Sequence, residues 1–223
     1  MPFFIVTVDG GAASGKSSTS KLLASKLNLL YAGTGLYYRA LTRFFLDRKI
    51  SPDDKMAIAV GLNELLFLIE VKVKGREAVF FLGDKAMTED ELKADDITKY
   101  VSTFAAIPEI RSFLKEFQRS HVDVAQRYGF NGLIMEGRDI GSVIFPLAEF
   151  RFFLEASEES RQQRRQKEGF SDSIHERDLA DSTRSTAPLV CPDGAIRIDN
   201  SNKSLFEVAQ AMLDVIQSTA DAK

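Results

Sequence analysis

The 223-residue chain has one cysteine, two histidines and no tryptophan. A lone thiol, Cys191, closes no internal disulfide, and two imidazoles beside it cannot build a zinc site without several carboxylates. The expected setting is reduced and cytoplasmic. An excess of charge of one sign is also missing, since 29 Lys and Arg stand against 32 Asp and Glu for a formal charge of −3. That balance gives no electrostatic reason to hold a nucleic-acid backbone or an anionic membrane, so neither is an expected partner and any anion must be bound locally. No apolar run approaches the roughly 20 residues that span a bilayer. The greasiest stretch, VIFPLAEFRFFL, is broken by Pro146, Glu149 and Arg151. The opening MPFFIVTVDGG lacks the basic leader of a signal peptide, and Phe3 to Val8 reads as folded structure. There are no internal repeats, low-complexity segments or long linkers. What is present, 44% hydrophobic and 27% charged residues, is the composition of a globular protein with a full core, and it excludes disorder and fibre.

Phe3 to Val8 is a short β-branched run ending in Asp-Gly, the signature of a strand buried on both faces. Lys16 to Leu27 has helical spacing, with Asn28 as its stop. A second helix is expected over Gly35 to Arg48, and Pro52 is expected to start a third. Between Leu65 and Phe81 the texture alternates around Lys74 and Gly75, which predicts an antiparallel hairpin within an insertion. Helices follow near Ile97 to Ala106 and from Pro108 to about Tyr128, with the proline as helix starter. Leu133 to Met135, Phe150 to Leu154 and Ala195 to Ile198 are compact apolar runs that complete a parallel sheet. The last helix buries the stripe Leu205, Val208, Ala209, Met212, Leu213 and Ile216.

Gly10 to Ser17, GGAASGKS, fills GxxxxGK[ST] between a predicted strand and a predicted helix. Glycines there let backbone amides turn toward phosphate oxygens, the helix presents its positive end, and Lys16 adds a mobile cation. The residues expected to hold a nucleoside triphosphate are Gly10, Gly11, Ala12, Ala13, Ser14, Gly15, Lys16, Ser17 and Ser18. Ser17 offers a hydroxyl to Mg²⁺, and Asp9 at the strand end could hold a metal-bound water or act as an ordinary acidic turn residue. Such a loop alone does not separate a kinase from a GTPase or a motor. The other polar residues are mostly arginines at loop and strand ends: Arg39 after AGTGLYY, Arg111 after Pro108, Arg138 in EGRD, and Arg177 and Arg184 around ERDLADSTR.

In DGGAASGKS, TGLYYRAL, the strand-rich insert, VSTFAAIPEIR, EGRDIGSVIFP and ERDLADSTRSTAPL followed by AIRIDNS, the chain resembles the bacterial cytidylate kinases, members of the nucleoside monophosphate kinase group. The likeness runs nearly end to end. It implies an α/β fold: a P-loop kinase core with a five-stranded parallel sheet, an inserted antiparallel β-containing NMP-binding domain, and a short helical lid. The core would comprise 1–34, 129–156 and 185–223. The NMP-binding region would be 35–128, with an insert at about 62–99, and the lid 157–184. The implied activity is transfer of the γ-phosphoryl of ATP to CMP or dCMP with Mg²⁺, by a monomer. Lys16, Arg39, Arg138 and Arg184 would be catalytic. Arg39 and Arg138 would hold the acceptor phosphate, beside Thr34. Ser102, Arg111 and Asp139 would meet the cytosine, Arg177 and Asp181 the ribose, and Arg184 would reach the acceptor nucleotide.

Chemistry agrees with these roles. Cytosine presents an amino donor beside two acceptors, which suits a carboxylate next to a cationic donor, and phosphate suits planar guanidinium forks. An acceptor phosphate is already a competent nucleophile, so no histidine base is needed, and positioning with charge neutralisation remains. Ser157 to Arg165 reads as a capped helix whose Arg161, Arg164 and Arg165 share a face and carry the lid. Two departures stand out: Gly33 where the family pattern has Asp, and Glu136 where it has Asp. The stretch Arg165 to Glu176 is shorter than in most relatives. A kinase for UMP, AMP, dTMP or shikimate is the next reading within the enzymes, and a nucleotide-dependent switch the next outside them.

Overall fold

The structure, a computed structural model, describes residues 2–167 and 174–221. Among the described residues one sheet has eight strands, where five were expected; its centre is β1 (Phe4–Gly10), β2 (Leu29–Gly33), β6 (Gly132–Gly137), β7 (Phe150–Glu155) and β8 (Ile196–Asp199), parallel in the order β2-β6-β1-β7-β8. β2 is the strand that the sequence patterns left unplaced. It lies directly after α1 (Lys16–Leu27), where Asn28 adopts the left-handed conformation with φ 54° and turns the chain straight into Leu29. The register Val6↔Ile134 and Val6↔Phe150 puts β1 in the middle. Its alternate apolar side chains feed the core on one face. Phe4, Val6 and Val8 pack with Leu23 of α1 and with Val208, Met212 and Ile216 of α10 (Leu205–Asp221). The opposite face is closed by Leu30, Leu133, Met135, Ile140 and Ile144. Covering on both faces explains why these strands read as continuous apolar runs. Leu205, expected on the buried stripe of α10, is instead 39% exposed.

The predicted hairpin is β3 (Ile69–Lys74) and β4 (Glu77–Leu82), paired antiparallel from Ile69↔Leu82 to Lys74↔Glu77. A two-residue β5 (Lys85–Ala86) adds to β4. The hairpin continues the main sheet, because β4 joins β2 through the pair Tyr31↔Glu77, with Tyr31 N–H donating to the Arg76 carbonyl at 2.7 Å.

Around it lie α2 (Gly35–Asp47), α3 (Lys55–Leu65), α4 (Glu89–Leu92), α5 (Asp95–Ala105), α6 (Pro108–Arg119) and α7 (His121–Arg127). They enclose an aromatic core in which Phe45 stacks on Phe104 at 5.4 Å. Pro52 does not start α3. Asp54 does, its carboxylate accepting the Ala57 N–H at 3.0 Å. The single helix expected from Pro108 to Tyr128 is two, divided at Ser120, whose Oγ donates to the Phe117 carbonyl at 2.8 Å. Ser157 does cap α8 (Glu158–Lys167), accepting the Ser160 N–H at 3.2 Å, and α9 (Ile174–Thr183) follows. Residues 168–173, within the stretch expected to be short, lie outside the described residues.

His121 belongs to this core and to no site. Its Nδ1 donates to the Phe117 carbonyl at 2.8 Å and its Nε2 accepts the Tyr37 hydroxyl at 2.8 Å. Burial pulls the imidazole down to about 4. An unfolded histidine titrates near 6.5, so its protonation favours the unfolded chain as pH falls from about 6.5 to about 4, by up to ~3 kcal/mol. Denaturant titrations of the parent and of His121→Asn at pH 7.5 and pH 5 should therefore differ in slope, with the variant gaining stability relative to the parent at pH 5.

Candidate active site

Gly15 has φ 85°, a left-handed conformation that glycine adopts at little cost, and it turns the loop into the N-terminus of α1. The loop opens on a cleft of about 670 Å³ lined by Ala12, Ala13, Ser14, Gly15, Lys16, Ser17 and Ser18 together with Arg39, Arg138, Arg164, Arg165 and Arg177. Gly10 and Gly11 stand behind it. A side chain at Gly10 would lie 2.3 Å from the Leu154 carbonyl, so this glycine serves the β1–β7 contact. Lys16 is 5% exposed and donates to the Gly11 carbonyl at 2.7 Å and to Ser14 Oγ at 3.2 Å. Burial, then Arg138, pull its ammonium down to about 7.

A narrower recess of about 90 Å³ adjoins the cleft, and Thr34, Arg39, Ser102, Arg111, Arg138, Asp139, Arg177, Asp181 and Arg184 all line it. The structure thus brings together every residue expected at the acceptor. Arg39, Arg138 and Arg177 face both spaces. Arg39 comes from α2 and is fixed by the Leu92 carbonyl at 2.9 Å and Thr98 Oγ1 at 3.0 Å. Arg111 and Asp139 form a buried ion pair, with Arg111 also donating to the Ala105 carbonyl at 2.9 Å. Arg138 Nε donates to Asp181 at 2.9 Å. Arg184 sits 3.4 Å from Asp181 and 3.6 Å from Asp139. Burial, then Arg111, lower its proton affinity, and its buried Nη2 makes no hydrogen bond among the described residues. That guanidinium is short of anionic compensation.

Asp9 does not face the cleft. It is fully buried, and its two oxygens accept the N–H groups of Ile140 and Gly141 at 2.8 and 2.7 Å. Asp9, expected either to hold a metal-bound water or to be an acidic turn residue, anchors the π-helical turn Ile140–Ile144 and so holds Arg138 and Asp139 at its mouth. Burial pushes this carboxyl up to about 7, against the two amide hydrogen bonds. The carboxylate that does face Ser17 is Glu136, which accepts from Ser17 Oγ at 2.8 Å and from the Tyr31 hydroxyl at 3.3 Å. Gly33 makes room for it, since a side chain there would meet the Tyr31 hydroxyl at 2.6 Å. The two departures from the family pattern are thus neighbours in space.

Among the lid arginines, Arg164 donates to Asn200 at 3.1 Å (Oδ1) and 2.7 Å (carbonyl), and Asn200 Nδ2 donates to the Ser14 carbonyl at 2.6 Å. Arg165 is buried at the cleft wall. Arg161 turns away from the cleft to the loop backbone. Asn200, Tyr31 and Asp178 were not expected at the site. Nothing in their spacing distinguishes them from turn, core or surface residues.

A phosphate-binding loop at the end of a central parallel strand, facing an arginine-lined recess, defines a P-loop phosphotransferase. The cytidylate kinase family profile matches residues 6–218. A curated cytidylate kinase of Streptomyces avermitilis is 34% identical over 100% of this chain and 96% of its own length. One of Listeria monocytogenes is 37% identical over 95% of each. The chain belongs to the cytidylate kinase family. A gluconokinase structure from Sinorhizobium meliloti shares the fold, with a TM-score of 0.52 at 13% identity over 99% of this chain and 95% of that one. Among the described residues no helix is long and apolar enough to cross a membrane.

Lys16 yields a pH test. A bound phosphate returns the ammonium toward its ordinary value, so triphosphate binding above pH 7 takes up a proton and weakens as pH rises. Calorimetry of ATP binding at pH 8 in buffers of differing ionisation enthalpy should find about one proton taken up per site, and Lys16→Ala should abolish it.

Proposed function

We propose that the chain is a cytidylate kinase that transfers the γ-phosphoryl of ATP to CMP or dCMP, giving ADP and CDP or dCDP. The observation that carries this is the buried Arg111–Asp139 pair at the floor of the arginine recess. Asp139 accepts from the cytosine amino group, while Arg111 and Ser102 donate to the ring acceptors. A uracil carbonyl in place of the amino group would face Asp139 as acceptor against acceptor. Arg177 and Asp181 take the ribose. Arg39 and Arg138 take the acceptor phosphate, with Thr34 beside it.

Transfer needs no base, because the attacking phosphate oxygen is already ionised. Lys16 and the Ala13 to Ser18 backbone hold the donor phosphates, and Arg39 and Arg138, which line both the cleft and the recess, face the place where the two phosphate groups would meet, with Arg184 behind them. There they neutralise the charge of the transferring group, as one arginine can by roughly 10³ to 10⁵ in rate. Ser17 and Glu136 fit a Mg²⁺ site, since this ion is commonly held by one hydroxyl and one or two carboxylates together with substrate phosphates. Bound there, Mg²⁺ would screen the donor phosphates and fix their orientation.

The division into core (1–34, 129–156, 185–223), acceptor region (35–128) and lid (157–184) is part of this reading. A monomer is part of the same reading, and the unpaired thiol of Cys191 suits a reducing, cytoplasmic setting.

A coupled assay of monophosphates against ATP should give CDP from CMP, with UMP and AMP at least about tenfold poorer in kcat/KM, one lost polar match being enough for that. Equal turnover of CMP and AMP would overturn the assignment. Asp139→Asn keeps the shape but not the charge. It should lower kcat/KM for CMP by about tenfold or more and narrow the gap to UMP, with ATP binding unchanged.

A further inference from the structure

Both helices of the lid meet the phosphate loop at one residue, Ala12, through the two successive peptide groups that flank its Cα. The Ala12 N–H donates to Asp178 Oδ1 at 2.8 Å, and the Ala12 carbonyl accepts from Arg161 Nη1 at 3.1 Å. Arg161 and Asp178 are also ion-paired with each other, with side chains only 13% and 20% exposed. Arg161 Nε is held by the Ala156 carbonyl at 3.1 Å, just beyond the end of β7. Neither residue lines the cleft or the recess. The contact also accounts for Gly11: a side chain there would come within 2.8 Å of both Arg161 Nη1 and Asp178 Oδ2.

We propose that Arg161 and Asp178 are positioning residues, a latch that sets the lid in register with the phosphate loop by clasping the backbone of Ala12 through its N–H and its carbonyl. The arithmetic of the helices gives the latch its reach. Arg161 lies one turn before Arg164 and Arg165 on α8, and Asp178 adjoins Arg177 and lies one turn before Asp181 on α9. One clasp therefore aligns cations at the donor phosphates and, through Asp181 and Arg184, groups at the acceptor. A backbone peptide is a more exacting anchor than a mobile side chain, because it moves only when the loop itself moves. The latch holds the lid down during transfer, keeping water from the donor phosphate, whose hydrolysis is the competing reaction.

The kinetic part of this inference rests on the cytidylate kinase reading. Arg161→Ala and Asp178→Ala should each lower kcat for CDP formation by about tenfold, with smaller changes in KM, the scale expected when positioning is lost. Each should also raise the ratio of ATP hydrolysed to CDP formed. The double variant should be less impaired than the product of the single effects, because each single variant already breaks the shared Arg161–Asp178 pair. Gly11→Ala, which deletes nothing but displaces the latch atoms, should reproduce the altered ratio. Single effects that multiply in the double variant, or a ratio unchanged in all of them, would overturn the latch; a purely structural role would shift unfolding midpoints and leave the ratio alone. Amide exchange at Ala12 in the nucleotide-free protein separates the two readings. Faster exchange in Asp178→Ala, with no CDP formed even by the parent chain, would sustain the latch and reject the kinase reading. Unchanged exchange beside normal CDP formation would do the reverse.

Discussion

Guanidinium groups withdrawn from water must have anions, and the arrangement of this protein's centre follows from that requirement. Arg111, Arg138 and Arg184 converge on a recess that the chain itself neutralises with Asp139 and Asp181. Removing one partner of such a buried pair leaves an uncompensated charge that commonly costs about 3–5 kcal/mol, so these residues stand or fall together. The compensation is incomplete at Arg184, and on the donor side burial and then Arg138 outweigh the carboxylates around Lys16. In the proposed reading an anionic nucleotide at each place would complete a balance that the polypeptide leaves unfinished. Binding and the order of the cleft are for this reason one electrostatic problem.

The carboxylates are assigned to scaffold and chemistry by where their oxygens point. Asp9 spends both on backbone amides of the turn that carries Arg138 and Asp139, and so connects the phosphate loop's own strand to the acceptor recess. Glu136 keeps its contacts to hydroxyls, those of Ser17 and Tyr31, which exchange partners more readily than amides do. The extra methylene of Glu136 and the missing side chain of Gly33 fit the same few ångströms of space.

Much of this was legible beforehand, for identifiable reasons. The helix Lys16 to Leu27, the hairpin around Gly75 and the inner strands announce themselves through period and turn chemistry, because local geometry and burial agree there. The residues proposed for the acceptor were named through the likeness of whole motifs, and their gathering around one recess depends on long-range packing that no spacing encodes. What escaped was set by neighbours distant in sequence. β2 escaped because Leu29 to Gly33 follows α1 with no intervening turn cluster. Ser120 divides a helix through its own hydroxyl. An acidic residue after a strand fits a metal site and a buried anchor equally well until Ile140 and Gly141 are seen against it.

The single bridge between Tyr31 and Glu77 gives the hairpin a second identity. By docking on β2 it covers the flank of the central sheet with β3 and β4, so the segment that distinguishes this enzyme's acceptor side also serves as its selvedge. Trimming it to make a minimal phosphate-loop scaffold would bare the Leu29–Gly33 backbone, and bared strand flanks recruit other chains. The insertion and the solubility of the core are in that sense inherited together.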